Sequence, residues 1–226
     1  MKKETAKYLS FLEKQPKGFV YAGDGKEPIA KHSIPKTKAS PQEKLDALKK
    51  KYSTCAACPL ASQGRTNIVF GQGNPEASLM FIGEGPGRNE DLQAKPFVGR
   101  SGQLLTKIIE AMGLTREKVY ISNIVKCRPP NNRAPLPGES KTCKNNILFQ
   151  EIEIIQPKII CTLGATATQE LLEKPMSISR VRGTFIPFKN TLVLPTFHPA
   201  YLLRNQTKKK DVWEDMKKVM AALKKA

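Results

Sequence analysis

The chain has 226 residues, 39% of them hydrophobic and 26% charged, which suits one α/β domain with extensions. No run of 18 apolar residues occurs and no apolar segment follows the basic N-terminus, so neither a membrane span nor a secretory signal is expected. Lys and Arg number 38 against 20 Asp and Glu, a net charge of +18 that favours a polyanionic partner, nucleic acid ahead of a membrane surface.

Residues 1–40 read as a basic arm and residues 41–226 as the folded domain. Met1–Lys51 holds thirteen Lys, six acids and no Arg. Pro16, Gly18, Gly23, Gly25, Pro28, Pro35 and Pro41 interrupt the arm, so only Thr5–Leu12 is expected to form a short helix there. Pro41–Tyr52 follows as a helix with Ser40 as N-cap, Pro41 in its first position, and Leu45 and Leu48 facing inward. From Cys55 the pattern becomes strand, loop and helix. Leu79–Ile82 is an apolar run ending in the turn Gly83-Glu84-Gly85-Pro86-Gly87. Leu104, Leu105, Ile108, Ile109 and Met112 recur at helical spacing, with Gly113 as the stop. Val119–Val125 reads as a strand, Arg128–Pro137 as a Pro-rich loop, and Ile147, Leu148, Ile152 and Ile155 as a helix ended by Pro157. Lys158–Leu163 is a strand, Thr166–Leu172 a helix, Leu192–Leu194 a last short strand, and Asp211–Leu223 a lysine-rich amphipathic helix. Such alternation predicts a mainly parallel sheet covered on both faces, with ligands bound beyond the carboxyl ends of its strands.

Five cysteines make an odd count, so a metal site in a reducing, cytoplasmic setting is favoured over a disulfide framework. Cys55 and Cys58 form a C-x₂-C pair before Pro59, and Cys127 and Cys143 form a wider pair. By spacing alone a zinc ion and an iron–sulfur cluster are equally good readings. Cys161 lies inside an apolar strand and reads as a small core residue.

The Gly83–Gly87 turn lacks the Lys and Ser/Thr of a nucleotide-binding P-loop. Glu84 within it reads first as a solvated loop acid, Phe97 as ordinary core, and His198 as structural. Asn123 interrupts an apolar strand, so it is either buried and satisfied or aimed into a site.

Together these residues form a recognisable set. Gly83-Glu84-Gly85-Pro86-Gly87 through Asp91, with Lys95-Pro96-Phe97-Val98-Gly99-Arg100-Ser101-Gly102, resembles the first motif of the family 4 uracil-DNA glycosylases, iron–sulfur enzymes of bacteria and archaea. Asn123–Arg133, Leu163–Ala167 with Arg182-Gly183, and Pro195–Arg204 resemble their later motifs, so the similarity runs from about Ser53 onward. The resemblance implies the three-layer α/β/α sandwich of the uracil-DNA glycosylase superfamily, with a mainly parallel central sheet. It also implies a [4Fe–4S] cluster held by Cys55, Cys58, Cys127 and Cys143. The implied activity is removal of a flipped-out uracil from DNA by hydrolysis of its N-glycosidic bond, as in base excision repair.

The implied roles follow. Phe97 stacks on the base and Asn123 meets its O4 and N3–H edge. His198 donates to O2, and backbone N–H groups of the turn containing Gly85 assist. The family 1 enzymes place an Asp where this chain has Gly85, so their water-activating base is absent at that position; Glu84 is the nearest carboxylate, as base, water holder or loop anchor. Arg100, Ser101, Arg128, Arg133 and Arg204 are expected on DNA, and Tyr201, Leu202 and Leu203 as wedges in the base stack. The related enzymes that bond covalently to DNA carry an Arg/Lys-rich insert, for which Arg128–Arg133 leaves no room. The arm is expected to add non-specific affinity for double- or single-stranded DNA. The chain is expected to act as a monomer, without membrane contact. The alternative is a catalytically silent iron–sulfur DNA-binding module, against which the joint presence of Glu84, Asn123 and His198 speaks.

Overall fold

A computed structural model describes residues 39–225; the expected arm up to residue 38, with its Thr5–Leu12 helix, lies outside the described residues. In chain order the elements are α1 (Pro41–Lys51), β1 (Gln72–Gly73), β2 (Leu79–Gly83), α2 (Arg88–Gln93), α3 (Arg100–Ala111) and β3 (Tyr120–Asn123). There follow α4 (Pro137–Cys143), α5 (Phe149–Ile155), β4 (Ile159–Leu163), α6 (Ala165–Leu172), α7 (Ile178–Val181), β5 (Ile186–Phe188), β6 (Thr191–Thr196), α8 (Pro199–Arg204) and α9 (Lys209–Leu223).

The strands form one sheet in the order β1-β3-β2-β4-β6-β5. The four central strands are parallel, and the short edges β1 and β5 are antiparallel. Side chains alternate across the sheet, which divides the apolar interior in two. Phe81, Ile121, Cys161 and Leu194 meet Leu105 and Ile109 of α3 and Val212, Met216 and Val219 of α9. Met80, Ile82, Tyr120 and Ile160 meet Leu45 and Leu48 of α1, Ile152 and Ile155 of α5, and Leu171 of α6. This is the expected α/β/α sandwich. Among the described residues no helix is long and apolar enough to cross a membrane.

Ser40 caps α1 as its sequence requires: its hydroxyl accepts from Glu43 N, and the Glu43 carboxylate accepts from Ser40 N. The helix expected around Ile147–Ile155 begins earlier, at Pro137, and passes through a π-helical stretch, Lys144–Leu148, before α5. Gln156 in the left-handed region then ends α5 ahead of Pro157. The strand expected over Val119–Val125 narrows to Tyr120–Asn123, although Ile124 N and Val125 N still donate to Gly83 O and Glu84 O. That continued pairing holds the loops after β2 and β3 side by side at the carboxyl ends of the strands, next to the point between β2 and β4 where the strand order reverses.

Candidate active site

Loops at the carboxyl ends of β2, β3 and β6 enclose a cavity of ≈ 490 Å³. Of the expected site residues, Glu84, Gly85, Phe97, Ser101, Asn123, Arg133, His198, Tyr201 and Arg204 line it. Arg100, Arg128, Leu202 and Leu203 lie outside its lining.

Phe97 is held in a conformation it would not choose. Its φ of 54° lies in the left-handed region, unfavourable for an aromatic residue. The surroundings enforce it. Arg116 donates to Phe97 O (3.1 Å) and Pro96 O (2.7 Å), and Glu90 Oε1 accepts from Val98 N (2.9 Å) and Gly99 N (2.7 Å). A Cβ at Gly102 would stand 2.0 Å from the Phe97 carbonyl carbon, so only glycine lets α3 approach this closely. The result places the Phe97 ring 5.8 Å from the His198 ring, centroid to centroid.

Gly83, the last residue of β2, leaves room for the site itself. A Cβ there would meet Phe97 Cζ at 2.4 Å and Asn123 Oδ1 at 2.5 Å. Gly83→Ala is therefore expected to keep the fold and displace both side chains. Near-native unfolding together with loss of the uracil excision that the resemblance implies is the combination that checks it. Asn123 is 1% exposed, and its Oδ1 has no hydrogen-bond partner among the described residues. A buried acceptor left open at a cavity costs about 1–3 kcal/mol, so this position is poised for a donor from outside the chain.

His198 caps α8: its Nδ1 accepts from Ala200 N at 3.1 Å. With Nδ1 an acceptor, the neutral ring carries its proton on Nε2. Burial lowers its pKa from 6.5 to about 4, with the nearby Arg204 acting the same way and Glu90 opposing. The folded value lies below the unfolded one, so this contribution to stability is complete above about pH 6.5 and is lost as pH falls toward 4. His198→Gln should remove that part of the acid-side loss, seen as a shallower decline of melting temperature across the same interval.

Two carboxylates line the cavity, and they differ. Glu90 is buried and committed to Val98 N and Gly99 N, whereas Glu84 is half-buried and has no side-chain hydrogen bond or ion pair among the described residues. Gly85 stands against Val125: a Cβ at 85 would lie 2.8 Å from Val125 Cγ2.

Sequence reasoning missed Glu90, Asp91 and Arg116. Asp91 accepts from Thr66 N and Asn67 N and thereby fixes the segment before β1 to α2. The available signal was two acids in the first turn of a helix beginning after Gly87. One expected DNA contact is corrected. Leu202 is 1% exposed and packed in the core beneath α8, so it cannot reach a base stack, whereas Leu203 is 37% exposed. Arg133 spends four of its five N–H donors within the chain, on both Glu139 oxygens, Ala134 O and Gln63 Oε1, and so braces its loop at the rim of the cavity. Arg128 uses Nε on Asn132 Oδ1 and keeps the rest of its guanidinium; Arg100 and Arg204 are exposed.

On the opposite face of β3, Cys55, Cys58, Cys127 and Cys143 line one small cavity of ≈ 10 Å³ together with Arg65 and Lys126. No group of three or more His, Cys, Asp or Glu among the described residues is arranged to hold a metal ion directly. Two sulfurs already accept hydrogen bonds, Cys127 Sγ from Arg65 Nη1 (3.0 Å) and Cys143 Sγ from Lys126 N (3.2 Å). Cys161 is buried in β4, away from this cavity.

Residues 70–217 match the uracil DNA glycosylase superfamily model. A type-4 uracil-DNA glycosylase of Thermotoga maritima is 46% identical over 81% of this chain and 97% of its own length. One from Saccharolobus solfataricus is 46% identical over 80% of this chain and 87% of its own. The chain belongs to the type-4 uracil-DNA glycosylases. In this member of the family, the superfamily match takes in all three loops of the crevice and Cys127 and Cys143, while Cys55 and Cys58 precede it.

Proposed function

We propose that the chain removes uracil from DNA by hydrolysing its N-glycosidic bond, leaving an abasic site for base excision repair. The observation that carries this reading is the open, buried Oδ1 of Asn123 in a cavity shared with the Phe97 ring and His198. The target nucleotide leaves the base stack, at a cost of a few kcal/mol, and enters the cavity. Phe97 offers a flat face for stacking. Asn123 Oδ1 accepts from uracil N3–H, and its amide nitrogen donates to O4. As the glycosidic bond breaks, the sugar gains oxocarbenium character and the base becomes an anion. His198 Nε2–H donates to O2 of that anion from a ring that is neutral near pH 7. Glu84, the carboxylate without a competing partner, holds the water that attacks C1′.

Outside the cavity, Arg100, Ser101, Arg128 and Arg204 serve as phosphate contacts, and Tyr201 and Leu203 wedge into the vacated stack of double-stranded DNA. The enzyme works as a monomer in the cytoplasm. The direct test is incubation with uracil-containing DNA followed by alkali. Strand cleavage at the uracil is the expected result, and intact DNA would overturn the reading.

The same reading gives Cys55, Cys58, Cys127 and Cys143 a [4Fe–4S] cluster. The residues fit it: four soft sulfur donors border one cavity, and two of them already receive the N–H bonds that iron–sulfur ligands usually accept. Bound there, the cluster supplies a cross-link between the segment around Cys55–Cys58 and the loop Cys127–Cys143. Cys143→Ser should lose iron and the brown colour, while Cys161→Ser should keep about four irons per chain. A colourless wild-type protein with one zinc would refute the assignment.

A further inference from the structure

We propose that Lys126, together with Glu151, is a positioning residue for Asn123 and joins the uracil pocket to the cysteine cavity. The inference rests on the reading of Asn123 as the group that meets the uracil edge. Lys126 is 0% exposed and Glu151 1%. An ammonium has three donors, and all three are used: Nζ donates to Ser122 Oγ, to Asn123 O (2.8 Å) and to Glu151 Oε2 (2.7 Å). Glu151 is equally committed, accepting from Gly71 N (2.9 Å) and Ser122 Oγ (2.7 Å).

A buried ion pair is weak evidence for stability, because apolar residues of similar volume often serve as well. Its better-attested use is to fix one arrangement among several. What is fixed here is the end of β3. Ser122 points toward α5 and Glu151, and alternation sends Asn123 into the crevice on the other face. Asn123 Oδ1 has no partner among the described residues to orient it, so the direction of the amide depends on its peptide and on contact with Gly83. Lys126 grips that peptide by its carbonyl. The main chain of Lys126 is itself anchored on the far side: its N–H donates to Cys143 Sγ (3.2 Å) and its carbonyl accepts from Val69 N (2.7 Å). One residue thus touches a cavity sulfur with its backbone and the base-reading position with its side chain.

The test is a double-mutant cycle on single-turnover uracil excision, with folding followed by thermal unfolding. Lys126→Met/Glu151→Gln removes both charges together, since Lys126→Met alone would strand a buried carboxylate. With Asn123 present, this pair should lower the rate roughly ten- to a hundredfold, the scale of an ångström-sized misplacement. In an Asn123→Ala background it should lower the already reduced rate by less than about threefold, because the group being positioned is gone. Glu151→Asp keeps the charge pair and the fold while drawing the carboxylate back. It should give a smaller loss that likewise disappears with Asn123→Ala. Equal fractional losses in both backgrounds, for either variant, would overturn the inference, since a merely structural role is indifferent to the residue at 123. An inactive wild type would instead strike the proposed function, so the two failures are distinguishable.

Discussion

His198→Ala should bind uracil-containing DNA nearly as well as the wild type and excise the base about 10²–10³-fold more slowly. The argument is one of charge timing. Uracil O2 carries little charge while the glycosidic bond is intact and most of a negative charge once it breaks. A donor aimed at that oxygen strengthens as the bond lengthens, so it lowers the barrier more than it improves binding. Burial and the bond from Ala200 N to Nδ1 keep the ring neutral with its proton on Nε2. That donor needs no protonation event between about pH 6.5 and 8, and the single-turnover rate should show no inflection there from this group. Single-turnover rates and gel-shift affinities across pH separate the two effects. A variant that lost affinity and rate in equal measure would place His198 in ground-state binding only.

Asn123→Asp should lose nearly all activity on uracil. A carboxylate there can accept from N3–H but has no hydrogen to offer O4, and it brings a charge into a pocket where another is forming. Asn123 is buried, so a mismatched polar edge finds no water to repair it, and discrimination of 10⁴ or more is within reach of such sites. Protonated, the aspartyl group presents acceptor and donor in either order and so suits the N3 and N4 edge of cytosine. Weak release of cytosine by Asn123→Asp is the corresponding gain. Both are read from the released base by chromatography. Undiminished uracil excision by Asn123→Ala, with cytosine still refused, would remove Asn123 from the pocket.

The fold was legible where periodicity is strong. The central strands are apolar on both faces because helices cover both, and α3 and α9 declare themselves by spacing. The edges β1 and β5, of two and three residues, are too short and too exposed to carry any pattern. The bounds of α4 and α5 were hidden because a π-helical stretch breaks the helical period between them. The pocket side chains stood out through their resemblance to known motifs, whereas the residues that hold them did not. Glu90 and Arg116 act on backbone atoms of Phe97–Gly99, and nothing in a sequence says which peptide groups a distant side chain will reach. The burial of Leu202 and the internal bonds of Arg133 were hidden for one reason. Exposure on a one-turn helix, and the partner of a loop arginine, are set by packing and not by residue type.

The contact between Gly85 and Val125 bears on how such an enzyme could change its chemistry. A methyl group of Val125 already fills the volume a side chain at 85 would need. An acidic group cannot be gained there by one substitution without driving the loops after β2 and β3 apart, and those loops are laced together by Ile124 N and Val125 N. Position 125 would first have to shrink, and because Val125 is fully buried that change leaves a cavity in the core. The two sites form a lock with an ordered opening, and while it is closed Glu84, one position earlier, is the only acid of that turn.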